Sequence, residues 1–167
     1  MHIVVMGVSG TGKSTVAEQL AEELDCEFIE GDSLHPRHNI EKMEHGIPLT
    51  DEDRWPWLHA IAELISVKSH DGTSTVVTCS ALKRTYRDVL RAAAPTFFVH
   101  LHAPFEVLEQ RMELRTRHFM PASMLRSQFD TLEDLGDDEE GAVVDVSPPV
   151  EEVVEEAVNA VRVHYAQ

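Results

Sequence analysis

The sequence predicts an α/β fold, with a five-stranded parallel sheet flanked by helices. Two observations carry that expectation. Short apolar, β-branched runs alternate with longer amphipathic stretches over the 167 residues, as strand–helix units do. The first run, Ile3 to Met6, passes through a glycine-rich turn directly into a stretch of helical periodicity.

The elements follow in order. Ile3 to Met6 reads as a buried strand, and Thr15 to Leu24 as a helix with Val16, Leu20 and Leu24 on one face. Cys26 to Ile29 is a second strand, and the polar segment from Ser33 to His45 is helical in part. Pro56 suits the first turn of a helix whose apolar face carries Leu58, Ile61, Ala62 and Ile65, and Gly72 closes it. Ser74 to Cys79 is a strand, Lys83 to Ala94 a helix and Thr96 to Leu101 a strand. Pro104 opens a helix running to about Arg115, Ala142 to Val146 is the last strand, and Pro149 begins a terminal amphipathic helix. Glu133 to Gly141 reads as a solvated acidic connection.

Composition narrows the function. A net charge of −16 argues against nucleic acid or an anionic membrane as partner, since both call for a basic face. No apolar run approaches the roughly 18 residues of a membrane span, and no charged stretch precedes the first strand as in a signal peptide. Cys26 and Cys79 both lie in apolar stretches, so a disulfide framework is not expected and a cytoplasmic location fits. Ten histidines include the pairs His100/His102 and His35/His38, but no zinc-ligand spacing, so no structural zinc is expected.

The strongest motif is Gly7-Val8-Ser9-Gly10-Thr11-Gly12-Lys13-Ser14, which fits G-x-x-x-x-G-K-[ST] between strand and helix. Glycines let backbone N–H groups curl around phosphate oxygens, and the following helix turns its positive end toward them. This makes the chain a P-loop NTPase that binds a nucleotide, expected to be ATP on the motifs below, through Gly7, Ser9, Gly10, Thr11, Gly12, Lys13, Ser14 and Thr15. Lys13 would neutralise the β- and γ-phosphates and Ser14 would hold Mg²⁺.

The motif alone does not separate a kinase from a GTPase, a motor or a passive binder. No N/T-K-x-D motif reads a guanine, and the strand from Ser74 to Cys79 ends in Ser80-Ala81-Leu82-Lys83 rather than an acid. Carboxylates stand instead after the second strand. Asp32 can accept the proton of an attacking hydroxyl, and Glu30 can hold Mg²⁺ through water. Three of fourteen Lys/Arg residues, Arg111, Arg115 and Arg117, crowd with His118 into a short span of this acidic chain. A lid whose arginines close on the transferring phosphoryl group accounts for that crowding, with Arg115 as the catalytic one.

Taken together the motifs resemble the gluconokinases, small kinases related to shikimate and adenylate kinases. The resemblance spans nearly the whole chain. It runs through the phosphate loop, Glu30-Gly31-Asp32-Ser33-Leu34-His35-Pro36, Asn39 to Met43, Gly46 to Arg54 with Pro56-Trp57-Leu58, Cys79 to Lys83 with Tyr86-Arg87-Asp88, His118 to Pro121, and Ser127-Gln128-Phe129. It implies transfer of the ATP γ-phosphate to the 6-hydroxyl of D-gluconate, in a single nucleoside-monophosphate-kinase-like domain over 1–167, and leaves a homodimer open. The acceptor segment would span about 32–70 and the lid about 111–130. The resemblance also rests the adenine between Arg111 and the loop at Ser147 and Pro148, with Arg117 as a further nucleotide contact.

Gluconate is a polyol ending in a carboxylate, so it asks for a cation at one end and hydrogen-bonding groups along the rest. Arg54 suits the carboxylate through its planar fork, and Lys83 can reach the sugar acid or a phosphate. His35, Lys42, Tyr86, His118 and Gln128 are candidates for the hydroxyls. Two features depart from the family: Leu132-Glu133 leads into Asp134 where a proline often follows, and Glu30 stands where shikimate kinases carry aspartate. A kinase for another small hydroxy acid, and a nucleotide-binding module without catalysis, are the competing readings.

Overall fold

The computed structural model describes residues 1–114 and 122–166. Strands β1 (His2–Met6), β2 (Glu27–Glu30), β3 (Thr75–Thr78), β4 (Phe97–His102) and β5 (Gly141–Asp145) form one sheet in the order β2-β3-β1-β4-β5. Every pairing is parallel, with Val4 opposite Val77 on one side and Phe98 on the other. Parallel pairing buries both faces of the central strands, which explains why β1 and β3 are buried at every position.

Helices α1 (Lys13–Leu24) and α7 (Val150–Tyr165) pack together on the sheet through Val16, Leu20, Val154 and Val158. Helices α3 (Asp51–His70) and α4 (Arg84–Ala93) pair with each other, burying Trp57, Ile61, Ile65, Tyr86 and Leu90. A 3₁₀ turn at Gly31–Leu34 and helix α2 (Arg37–Glu44) supply the partial helix expected after β2. Helices α5 (Phe105–Leu114) and α6 (Ala122–Thr131) pack against each other beyond β4. No described helix is long and apolar enough to cross a membrane.

Two expectations change. Pro56 lies inside α3 rather than in its first turn, because the helix starts earlier at a strong cap. Thr50 Oγ1 accepts from Asp53 N at 3.2 Å while Asp53 Oδ2 accepts from Thr50 N at 2.9 Å, and the acidic first turn favours the helix dipole. One missing N–H at Pro56 is outweighed by that start and by burial of Trp57 and Leu58. The span 122–131, expected only as part of a lid, is a helix, held by the buried Met124 and Leu125 and by Phe129 against the core.

The connections after β1, β2 and β3 therefore open at one end of the sheet, beside the point where strand order reverses around β1. In parallel α/β sheets that crevice is where ligands bind.

Candidate active site

The loop from Gly7 to Gly12 needs glycine for two distinct reasons. Gly12 has φ +82° at the start of α1, a left-handed conformation that L side chains avoid. Gly7 adds a steric limit, since a Cβ there would lie 2.5 Å from Leu101 O. Lys13 reaches back across the loop and donates to Gly7 O and Val8 O, both at 3.0 Å. Burial lowers the proton affinity of Lys13, and the nearby charges of Asp32 and Glu30 oppose that effect.

Glu30 ends β2 with both carboxylate oxygens engaged. Its Oε2 accepts from Ser14 Oγ at 2.5 Å and its Oε1 from Thr78 Oγ1. Thr78 also takes the next N–H in the chain, Gly31 N, at 3.0 Å. The adjacent β3 strand thus fixes the carboxylate beside the first turn of α1. A hard cation prefers such oxygen donors, so Ser14 and Glu30 fit Mg²⁺ in chemistry.

On the acceptor side a cavity of about 310 Å³ is lined by Ser9, Lys13, Asp32, His35, Arg54 and Gln128, among others, with Met124 and Ser127 of α6 closing it. Asp32 is largely exposed, its Oδ1 3.7 Å from His35 Nε2. The His35 ring lies against the indole of Trp57, centroids 4.0 Å apart and 16° from parallel. Burial, and then the charge of Arg54, push the His35 pKa down to about 4. The ring is therefore neutral at ordinary pH. Gln128 bridges α6 to the phosphate loop, accepting from Ser9 N at 2.7 Å and donating to Ser9 Oγ at 3.0 Å.

Arg54 is buried, and its Nη1 donates to Tyr86 Oη at 3.0 Å. Tyr86 in turn donates to Asp51, which also accepts from Lys83 Nζ at 3.2 Å and 3.3 Å. Lys42 Nζ lies 2.6 Å from Asp53 Oδ2. Of the residues expected to touch the acceptor, Asp32, His35, Arg54 and Gln128 meet in the cavity. Lys42, Lys83 and Tyr86 are outside its lining, engaged with Asp53, Asp51 and Arg54. Arg115, Arg117 and His118 lie outside the described residues.

The loop Cys79 to Lys83, which contributes Ser80 and Leu82 to the cavity, takes an unusual shape. Ala81 has φ +46° and is held by Arg87, whose Nη1 donates to Ala81 O at 2.8 Å. Arg87 is fully buried and forks onto Glu139, with Nε–Oε1 2.8 Å and Nη2–Oε2 3.0 Å. Burial pushes the Glu139 carboxyl up, but Arg87, the Gly136 N–H and Arg91 outweigh it and hold the pKa at about 2. The acidic stretch expected to be a solvated connection is therefore in part a buried anchor.

A second cavity, about 640 Å³, lies on the other side of the phosphate loop. Gly10, Gly12 and Thr15 form one wall, Arg111 another, and Ser147, Pro148 and Pro149 a third. Arg111 Nη2 donates to Val146 O at 2.6 Å, which joins α5 to the loop after β5.

The chain is similar to known proteins in sequence and in fold. The family model described as an AAA domain matches residues 3–135. A thermoresistant gluconokinase of Escherichia coli is 44% identical over 96% of this chain and 94% of its own length. A gluconokinase of Gluconobacter oxydans is 53% identical over 82% of this chain and 78% of its own. The crystal structure of a gluconokinase from Sinorhizobium meliloti superposes with a TM-score of 0.90 at 52% identity, covering 98% of this chain and 92% of that one. The chain belongs to the gluconokinase family.

Within the gluconokinase scaffold, reading the sequence gave no role to several residues that shape the site. Thr78 holds Glu30, Trp57 backs His35, and Asn39 hydrogen-bonds His35 from behind the cavity. Trp57 and Asn39 lie in stretches that carry the resemblance, yet Trp57 looks like a core residue and Asn39 like a surface one until α2 and α3 are brought together. Thr78 reads as an ordinary β-branched strand residue.

Proposed function

We propose that this chain transfers the γ-phosphate of ATP to the 6-hydroxyl of D-gluconate, with Asp32 as the proton acceptor. One observation carries the assignment of roles: Lys13 of the phosphate loop, Asp32 and Arg54 line a single cavity. A phosphoryl donor, a base and a carboxylate clamp are the three needs of a sugar-acid kinase, and membership of the gluconokinase family supports the substrate.

In this reading the loop N–H groups and Lys13 hold the β- and γ-phosphates. The cavity beside Arg111, Ser147 and Pro148 takes the adenosine end. Ser14 would hold Mg²⁺ directly and Glu30 through water, and the ion would screen charge on the phosphates. Arg54 binds the gluconate carboxylate with its free guanidinium edge while Tyr86 steadies the other. His35 and Gln128 hydrogen-bond hydroxyls along the chain of the substrate. Asp32 then receives the proton as the hydroxyl oxygen attacks. Arg115 and Arg117, in a lid over about 111–130, would add positive charge where it develops. The whole acts as one kinase domain with its acceptor segment over about 32–70.

The test is ADP release in the presence of Mg·ATP, with gluconate, other aldonates, shikimate, glycerate and free hexoses as acceptors. Selective turnover of gluconate is expected. Preference for another acid would reassign the substrate, and ATP binding with no acceptor-dependent turnover would leave only a nucleotide-binding module. Arg54→Ala should weaken gluconate binding by roughly ten- to a hundredfold, the loss of one charge-assisted contact, and leave ATP affinity unchanged. Equal losses for both would mean that Arg54 serves the fold instead.

A further inference from the structure

Asn39, on α2, is almost fully buried and lies outside the lining of the acceptor cavity. Its amide nitrogen Nδ2 is 2.8 Å from Asp53 O and 3.1 Å from His35 Nδ1. The first of these contacts orients the amide. A backbone carbonyl can only accept, so the group facing Asp53 O has to be the NH₂ and not the side-chain oxygen. The NH₂ carries a second hydrogen, which is left for His35.

We propose that Asn39 is a positioning residue that sets the tautomer of His35, keeping Nδ1 unprotonated and placing the ring proton on Nε2, toward Asp32. The inference rests on the roles given to His35 and Asp32 above. A ring nitrogen that accepts from an amide cannot carry a proton, so in the neutral imidazole the only N–H is on Nε2. That nitrogen lies 3.7 Å from Asp32 Oδ1. The ring plane is set independently by the stack on Trp57, so the amide has only to choose between the two nitrogens.

The chemical consequence concerns the base. A neutral Nε2–H offers one hydrogen bond, to the acceptor hydroxyl or to Asp32, and orients the attacking oxygen. An imidazolium at that position would stabilise the Asp32 carboxylate as an ion pair and weaken it as a proton acceptor. A ring protonated on Nδ1 would turn a bare lone pair toward the carboxylate. The remaining polar contacts around the device keep its frame stiff. Asp53, whose carbonyl orients Asn39, has its own carboxylate held by Thr50 N, Lys42 and His38.

Long-range ¹H–¹⁵N spectra of the wild-type chain at neutral pH read the tautomer without any reference to activity. The expected pattern for His35 is an unprotonated Nδ1 and a protonated Nε2. A protonated Nδ1, alone or as imidazolium, would overturn the proposal whatever substrate the enzyme uses. Asn39→Asp replaces the donor with a carboxylate of the same shape. It should move the His35 pattern toward a protonated Nδ1 and lower kcat by roughly ten- to a hundredfold, the scale of a misdirected reacting group, with the KM for ATP unchanged. A folded Asn39→Asp protein that retains the wild-type His35 pattern would equally reject the idea. A merely structural role would lower the active fraction and leave the spectrum of the folded molecules as it was.

Discussion

Of the two cavities described above, the one beside Arg111 draws its walls largely from short contiguous stretches: Gly10 to Gly12, and Val146 to Val150. The acceptor cavity is assembled from side chains of the phosphate loop, the 3₁₀ turn, α2, α3, the loop after β3 and α6. In the first, backbone conformation and glycine do most of the shaping. In the second, charged and aromatic groups do, and two of them are held by partners distant in sequence: Arg54 by Tyr86 and His35 by Trp57. Phosphates at the loop edge of the first cavity would bind to N–H groups that any chain possesses, so conformation goes far there. A sugar acid has no such generic partner and needs particular side chains at particular places.

That contrast can be broken or sharpened by experiment. The largest expected effect is on the acceptor side. Asp32→Asn should lower turnover by roughly 10²–10⁴ while ATP affinity holds; unchanged turnover in steady-state assays would remove Asp32 from the mechanism. Next comes the anchor behind the loop after β3. Arg87→Met leaves Glu139 buried with Arg91 as its one remaining side-chain cation among the described residues, and removing one partner of a buried pair costs about 3–5 kcal/mol. Urea denaturation would measure it, and a loss under 1 kcal/mol would mean that Glu139 finds water.

The third effect is a pH dependence of stability. His35 and His100 are both lowered from 6.5 to about 4, chiefly by burial, and His100 Nδ1 has no partner among the described residues. The native state then binds fewer protons than the unfolded chain between those values. Stability is at its full level above about pH 6.5 and falls as the pH drops toward 4, by about 3 kcal/mol for each ring at 1.4 kcal/mol per unit. Denaturation midpoints at pH 7 and pH 4.5 should differ accordingly, and replacing His100 with a neutral residue should flatten the slope. The smallest effect belongs to the phosphate loop. A Cβ on Gly12 meets nothing within 4 Å, so Gly12→Ala costs only the strain of φ +82°, about 1–2 kcal/mol. By contrast a Cβ on Gly31, at the acceptor end, would sit 1.9 Å from Thr78 O and could not be accommodated without moving the strand.

Much of this was legible in the chain itself. Strand order aside, the alternation of apolar runs and amphipathic stretches predicted all five strands to within a residue or two, because a parallel sheet buries whole strands and needs a covering element between them. The phosphate loop was legible for a related reason: its conformation is dictated by glycines adjacent in sequence. Asp32, His35, Arg54 and Gln128 could be proposed from chemistry and resemblance, and the fold brings them to one cavity. Lys42, Lys83 and Tyr86 were proposed on the same grounds, yet they lie outside its lining, because Asp51 and Asp53 in the first turn of α3 engage Lys42, Lys83 and Tyr86.

By itself, then, the sequence determined the local things: strands, helices, the curl of the phosphate loop, and which residue types were available for chemistry. Tertiary structure alone decided the partners. It turned Glu139 from a surface acid into the buried counter-ion of Arg87, made α6 the inner wall of the cavity, and set Asn39 of α2 against the Asp53 carbonyl of α3. The physical reason is range. Backbone preference and periodicity act over a few residues, whereas the pairs Arg87–Glu139 and Arg54–Tyr86 are 52 and 32 residues apart. Whether such groups meet or are left to water depends on how the helices pack, which no local pattern states.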